Sequence, residues 1–219
     1  MEFEVPSVDS PWDQKVPRLV FRGSPGGSRL AFMDQALRGA PRRSVAVDLR
    51  AYDWGGRRER IAREVPALGN DSLWGGSLTV AEQLQSRYVL DMDGGGGPSD
   101  RLLWVSLSGS VPVVVPSESE SWMGALARPF DVVPVRGDAS DLAERLAWLR
   151  GHDAEARRIA RASRALALRA LRFEHALHWV YRLLAGLAAV LHSLVAAQLF
   201  SSPLVAVPLV SHGVATNVD

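Results

Sequence analysis

Tyr88–Arg101, YVLDMDGGGGPSDR, decides how the rest of this chain is read. Tyr88–Met92 is apolar except for Asp91 and reads as a buried strand. Four glycines, Gly94–Gly97, follow it, and Ser99 and Arg101 stand where a helix begins. A strand that ends in glycines and feeds a helix lets the backbone approach a ligand closely and turns helix N–H groups toward negative charge. The stretch therefore predicts a site for a phosphate-bearing ligand.

Strand and helix alternate on both sides of it. Upstream, Arg18–Phe21 reads as a short strand, Leu30–Leu37 as a helix and Ser44–Leu49 as a second strand with Val45 and Val47 on one face. Tyr52–Gly76 reads as a variable loop region, its Arg57, Arg58, Arg60 and Arg63 forming a solvated helix face. Thr79 with Glu82 three residues on has the form of a capping box, opening the helix that delivers the chain to Tyr88. Downstream come a helix over Asp100–Leu107 and a β-branched run at Val111–Val115, in which Pro112 weakens the strand or marks its start. A short helix is expected after SESESW as far as Leu126, a strand at Asp131–Val135, and helices over Ser140–Arg150 and Asp153–Leu171 with Gly151 as the stop between them. This order predicts an α/β fold with a Rossmann-like, doubly wound parallel sheet. Ligands in such folds lie beyond the carboxyl ends of the strands, where the glycine run, Ser117–Glu120 and Arg136 emerge.

Composition narrows the function. A chain of 219 residues that is 47% hydrophobic can bury a core. Its 25 basic residues nearly balance 24 acidic ones, so no general field holds a long polyanion, and nucleic acid is not an expected partner. The absence of cysteine excludes a thiolate metal site and a disulfide framework. Met1–Gln14 is acidic and proline-broken, unlike a secretory signal, and reads as a leader or the remnant of a preceding domain. The domain proper then covers 15–182, and 183–219 is an apolar tail. Within it Leu183–Phe200 is broken only by His192, Ser193 and Gln198, which reads as a packed terminal helix, with membrane association as the rival. Arg182 in front of the run is a topology hint by the positive-inside tendency.

Several chemistries compete for the centre. Gly94, Gly96 and Ser99 approximate a dinucleotide fingerprint, with Glu118 near the place of a ribose-binding acid, which would make the protein an NAD-dependent oxidoreductase. Asp91 and Asp93 lie two apart on an extended chain and could share a divalent cation, or Asp91 pairs locally and only Asp93 enters the site. His175 and His178 have the spacing of a two-ligand metal face but lack a third ligand nearby, and read as a packed or exposed pair. Arg22–Arg29, RGSPGGSR, is either a turn with two solvated arginines or a loop that holds an anion. No nucleophile, base and orienter set is evident.

In order, Trp12 with Lys15, PRLVFRGSPGGSR, YVLDMDGGGGPSDRLLWVSLSGSVPVVV and LARPFDVVPVRGDASDLAERLAWLRGHDAEARRIA resemble the landmarks of the Rumi-like protein O-glucosyltransferases. That family includes fungal capsule-associated xylosyltransferases and lipopolysaccharide-modifying enzymes, and the resemblance runs from about Trp12 to about Ala188. It implies the C-terminal, donor-binding half of a GT-B glycosyltransferase. The implied reaction is a metal-independent, inverting transfer from a UDP-sugar to a protein or glycan hydroxyl, with no cofactor beyond the donor. By matching motifs, Arg22, Ser24, Arg29, Ser99 and Arg101 would line the UDP-sugar site. Asp93 and Gly94 would shape the same loop, and Glu118 or Glu120 would take ribose or sugar hydroxyls. The family's acceptor half, with its aspartate general base, is expected upstream of Trp12, and neither Asp9 nor Asp13 matches that motif. A module that binds a nucleotide-sugar or a partner without catalysis is the alternative. Family members usually work in the secretory lumen, so the resemblance suggests that compartment, while the sequence shows no signal peptide that would carry it over.

Overall fold

The computed structural model describes residues 8–39, 47–53, 55–94, 100–117, 131–170 and 173–201. The chain enters through β1 (Val16–Gly23) and α1 (Gly27–Gly39), then β2 (Val47–Ala51) and α2 (Arg57–Glu64). Two 3-10 turns, α3 (Val80–Leu84) and β3 (Ser86–Asp91) follow. Next come α4 (Arg101–Leu107), β4 (Val111–Val114), β5 (Val133–Pro134), α5 (Leu142–Gly151), α6 (Asp153–Ala170) and α7 (Phe173–Ser201). Among the described residues the five strands form one parallel sheet in the order β2-β1-β3-β4-β5. Helices cover both faces, as the alternation of strand and helix predicts.

The period-2 pattern assigns the faces. Leu19 and Phe21 of β1, Leu49 of β2, Tyr88 and Leu90 of β3, and Val111 and Val113 of β4 share one core with α1, α5 and α6. Val20 and Val89 point the other way and pack with Leu84 of α3 and Trp104 and Val105 of α4. Each fully buried Leu or Val contributes about 1.5–3 kcal/mol relative to an exposed one, so the two apolar faces fix the register.

Several elements differ from their sequence-based limits for identifiable reasons. β1 is longer than Arg18–Phe21 because it pairs on both sides, with β2 and with β3. α1 starts at Gly27 rather than Leu30, so the second half of the RGSPGGSR stretch is its first turn. β2 begins at Val47 and runs to Ala51, and its expected first residues, 44–46, lie outside the described residues. Tyr52–Gly76 is more ordered than its glycines suggest. α2 forms there with its arginines largely solvated, and Arg58 pairs with Asp71 while lying 5.8 Å from the Trp74 ring centroid. β5 shrinks to two residues, paired with Val113 and Val114. Pro112 is tolerated at the second position of β4, beside Val89 and before the pairing with β5 starts. The break between α5 and α6 falls at His152, not Gly151: its N–H still donates to Trp148 O, and the two rings stack 4.8 Å apart. The short helix expected up to Leu126 lies outside the described residues.

Asp9–Lys15, expected to be largely leader, is held against the amino edge of the sheet. Trp12 is buried and its indole N–H donates to Asp153, while Arg87 lies 5.0 Å from its ring. The Lys15 ammonium, also buried, donates to Asp9 and to Leu84 O, and the same Asp9 accepts from Gly109 N–H at 2.7 Å.

Two compact units divide the chain, Met1–Ala176 and Leu177–Asp219. Taken by itself, α7 is a continuous helix of 29 residues, and most of its large apolar side chains are exposed.

The capping box at Thr79 is formed: Glu82 accepts from Thr79 N–H at 2.7 Å, and Thr79 Oγ1 accepts from Glu82 N–H at 3.2 Å. Thr79→Ala is expected to cost about 1 kcal/mol in chemical unfolding with an unchanged m-value. Hydrogen bonds from Thr79 hold the Glu82 carboxyl below its ordinary pKa. Its stabilisation is therefore present above that ordinary value and lost as pH falls through the depressed one. Glu82→Gln should remove this part of the acid dependence, read from unfolding curves across pH 3–6, an interval set by about one to two units around the ordinary glutamate value.

Candidate functional site

The connection from β1 runs to one side of the sheet, to β2, and that from β3 runs to the other, to β4. Their carboxyl ends therefore diverge, and this switch point is where doubly wound folds bind ligands. Arg22 ends β1 beside Gly23, Ser24 opens the following loop, Arg29 lies on the first turn of α1, Asp93 and Gly94 follow β3, and Arg101 opens α4. Sequence reasoning singled out all six, and the fold brings them to one edge. Ser99, Glu118 and Glu120 lie outside the described residues, as does Gly96 of the dinucleotide pattern.

Arg22 faces the protein. Nη2 donates to both carboxylate oxygens of Asp48 at 2.9 and 3.0 Å, Nη1 to Phe21 O and Asp48 O, and Nε to Gly76 O. Every nitrogen of this guanidinium is engaged in tying β1 to β2 and to the loop before α3. Arg29 gathers the two loops that flank the switch point. Nε donates to Asp93 O at 2.6 Å, Nη2 to Met92 O, and Nη1 to Ser24 O and Oγ. Arg101 reaches back under β1, with Nη2 donating to Arg22 O at 2.7 Å and Nη1 to Gln83 Oε1 at 2.8 Å.

Phe21 sits between the last two. The Arg101 guanidinium carbon lies 4.6 Å from its ring centroid and that of Arg29 5.5 Å, with Trp104 5.4 Å from Arg101. All three arginines are buried, as is Asp91 at the end of β3. Burial pushes the Arg101 guanidinium down to about 10; Asp91 opposes this and Arg29 adds to it. Arg29 is lowered chiefly by burial, with Asp91, Tyr52 and Asp93 holding it up. Both stay charged at neutral pH; Asp91 acts on both, with Asp93 also acting on Arg29 and Asp100 on Arg101.

Gly23 is fixed by the same packing. A Cβ there would come 2.7 Å from Phe21 Cζ and 3.2 Å from Arg29 Nη1.

The acids between them do different work. Asp91 lies in the field of Arg29 and Arg101, whereas the Asp93 carboxylate accepts from Ser117 Oγ and its carbonyl from Arg29. Among the described residues no group of three or more His, Asp or Glu side chains is placed to hold a metal ion. His175 and His178 are exposed on α7. The glycine run follows β3, the third strand, rather than the first β–α turn where a dinucleotide fingerprint belongs. Asp48, Gln83, Tyr52 and Phe21 were missed as parts of the site. An aspartate inside the apolar β2 run was the one signal available; Gln83 and Phe21 look like ordinary helix and core residues until the fold sets them beside Arg101.

Residues 3–199 match the family model described as Glycosyl transferase family 90. Protein 027R of Frog virus 3 (isolate Goorha) is 30% identical over 194 residues, covering 78% of this chain and 20% of the relative. Protein 179R of Invertebrate iridescent virus 6 is 24% identical over 186 residues, 72% of this chain and 16% of the relative. The chain thus spans about a fifth of the length of the curated relatives it matches. Among solved structures, TarM is similar with a TM-score of 0.52 at 12% identity, over 80% of this chain and 36% of TarM, a likeness of fold.

Gly23→Ala is expected to destabilise the protein by about 1–3 kcal/mol, since Phe21 is held between two guanidinium groups and cannot step aside. Asp48→Ala leaves the Arg22 guanidinium buried without its carboxylate and should cost about 3–5 kcal/mol. Thermal and urea unfolding of the two variants checks both values.

Proposed function

This chain belongs to glycosyl transferase family 90, and we propose that it forms the donor-binding half of an inverting, metal-independent glycosyltransferase of the Rumi-like type. It takes glucose, xylose or a similar sugar from a UDP-sugar and passes it to a protein or glycan hydroxyl. The observation that carries this reading is the pair of buried cations, Arg29 and Arg101, set beneath two short loops at the switch point of a parallel sheet.

In the proposed step the acceptor oxygen attacks the anomeric carbon and the bond from that carbon to the β-phosphate oxygen breaks. UDP leaves with the electron pair, and the acceptor's proton passes to a base on the acceptor-binding half. Negative charge grows on the departing diphosphate, and a fixed positive field at that place lowers the barrier without reorganising at the moment of reaction. Arg29 contributes mainly by position, since its nitrogens hold the carbonyls of Ser24, Met92 and Asp93 and so set the shape of the loops. Arg101 supplies charge and fixes the end of β1 through Arg22 O.

A second reading is a module that binds the nucleotide-sugar without catalysis of its own. The two readings share the donor site and differ in turnover.

Calorimetric titration with UDP, UDP-glucose, UDP-xylose and NAD, each with and without a chelator, tests the proposal. UDP binding that ignores the chelator is the expected result. Binding abolished by the chelator restores a metal role for Asp91 and Asp93, and NAD binding without UDP binding refutes the donor assignment. Arg101→Ala should weaken UDP by about 1.5–3 kcal/mol, the scale of a hydrogen bond to a charged group, while circular dichroism confirms the fold at the titration temperature.

A further inference from the structure

We propose that α7 crosses a lipid bilayer and holds the donor-binding unit at the cytoplasmic face. A helix that docks on a protein surface has one apolar stripe and a charged back. From Leu183 to Ser201, α7 has no charged residue on any side. Leu183, Leu187, Leu191 and Leu194 are each more than half exposed, so nothing among the described residues covers this surface. The eighteen residues from Leu183 to Phe200 span about 27 Å at the helical rise, close to the hydrocarbon thickness of a bilayer.

The flanks fit the same occupant. Trp179, Tyr181 and Arg182 stand at the amino end of the apolar stretch, where an aromatic ring and a snorkelling cation belong at a headgroup boundary. Among the polar groups within the stretch, Ser193 donates its hydroxyl to Ala189 O at 3.0 Å, so it brings no unsatisfied donor into lipid. Charge is distributed to one side. Between Arg157 and Arg182 the sequence carries seven arginines against the single acid Glu174, and from Leu183 to Asp219 it carries no lysine or arginine. The positive-inside rule sets the arginine-rich side, and with it Met1–Ala176, in the cytoplasm. This orientation is opposite to the luminal one that the family resemblance implies.

The chain has no cysteine, so single reporters can be introduced without background. The full chain, carrying Gln35→Cys or Thr216→Cys, is expressed in bacteria and treated in spheroplasts with a membrane-impermeant maleimide. Expected are retention in membranes through alkaline carbonate extraction, labelling of Thr216→Cys in intact spheroplasts, and labelling of Gln35→Cys only after permeabilisation. Release by carbonate, or a soluble dimer that forms without detergent, overturns the span; the reverse labelling pattern overturns the orientation. Leu187→Arg with Leu191→Arg should move most of the chain to the soluble fraction. UDP titration of that soluble variant reads the donor site separately, so failure of the span and failure of the proposed function are told apart.

Discussion

Two guanidinium groups stacked on one phenylalanine ring are the constraint around which the carboxyl edge of this sheet is arranged. Arg29 and Arg101 are both buried, both charged at neutral pH, and close enough to oppose one another's ionisation. Removing such groups from water is costly unless each N–H finds an acceptor. Carbonyls from Arg22, Ser24, Met92 and Asp93 and the Gln83 side chain supply acceptors to the Arg29 nitrogens and to both terminal nitrogens of Arg101. The loops at the switch point therefore take the shape they do because their carbonyls must point inward at cations. Stacking on Phe21 adds about 2 kcal/mol at a desolvated site, and it leaves room beside the ring for nothing larger than Gly23.

The opposite edge is closed by a similar device with the charge types balanced. Burial lowers the affinity of Lys15 for its proton and Asp9, its ion-pair partner, offsets only part of that. Lys15 and Asp9 connect the segment before β1 to the end of α3, through Leu84 O, and to the turn before β4, through Gly109 N–H. One end of the sheet thus carries a closed ion pair, the other two buried arginines with the carboxylates that act on them.

The sheet was legible in the sequence because its pattern is local. The Tyr88–Asp91 and Val111–Val114 runs declare buried parallel strands, and Thr79 with Glu82 declares a helix start, each through residues within a few positions of one another. The site was legible only in outline. Arg22, Arg29 and Arg101 could be named from motifs, but nothing nearby announces that Arg22 belongs to Asp48, or that Arg101 reaches Gln83 eighteen positions back. Where local signals misled, tertiary packing decided the outcome. α1 extends through Gly27 and Ser28 because Arg29 must sit on its first turn to reach Asp93, and the helix break slips to His152, where the imidazole stacks on Trp148. The apolar stretch after Arg182 announced a helix and not what surrounds it, because apolarity alone does not distinguish lipid from protein.

The central pairing has a kinetic side. β1 is joined to β3 through Leu19 with Tyr88 and Val20 with Val89, and all of β2 and its connections lie between them in the chain. Parallel neighbours cannot meet through a tight hairpin, so the middle of the sheet waits for a long closure whose entropy must be met before any contact rewards it. High contact order of this kind slows folding, and on the ribosome Phe21 remains without its arginine from α4 until Arg101 has emerged. During that interval the apolar faces of β1 and α1 are open to solvent and to other chains. The unit is therefore most exposed to misassembly while it is being synthesised, before the charge cluster that organises its finished form exists.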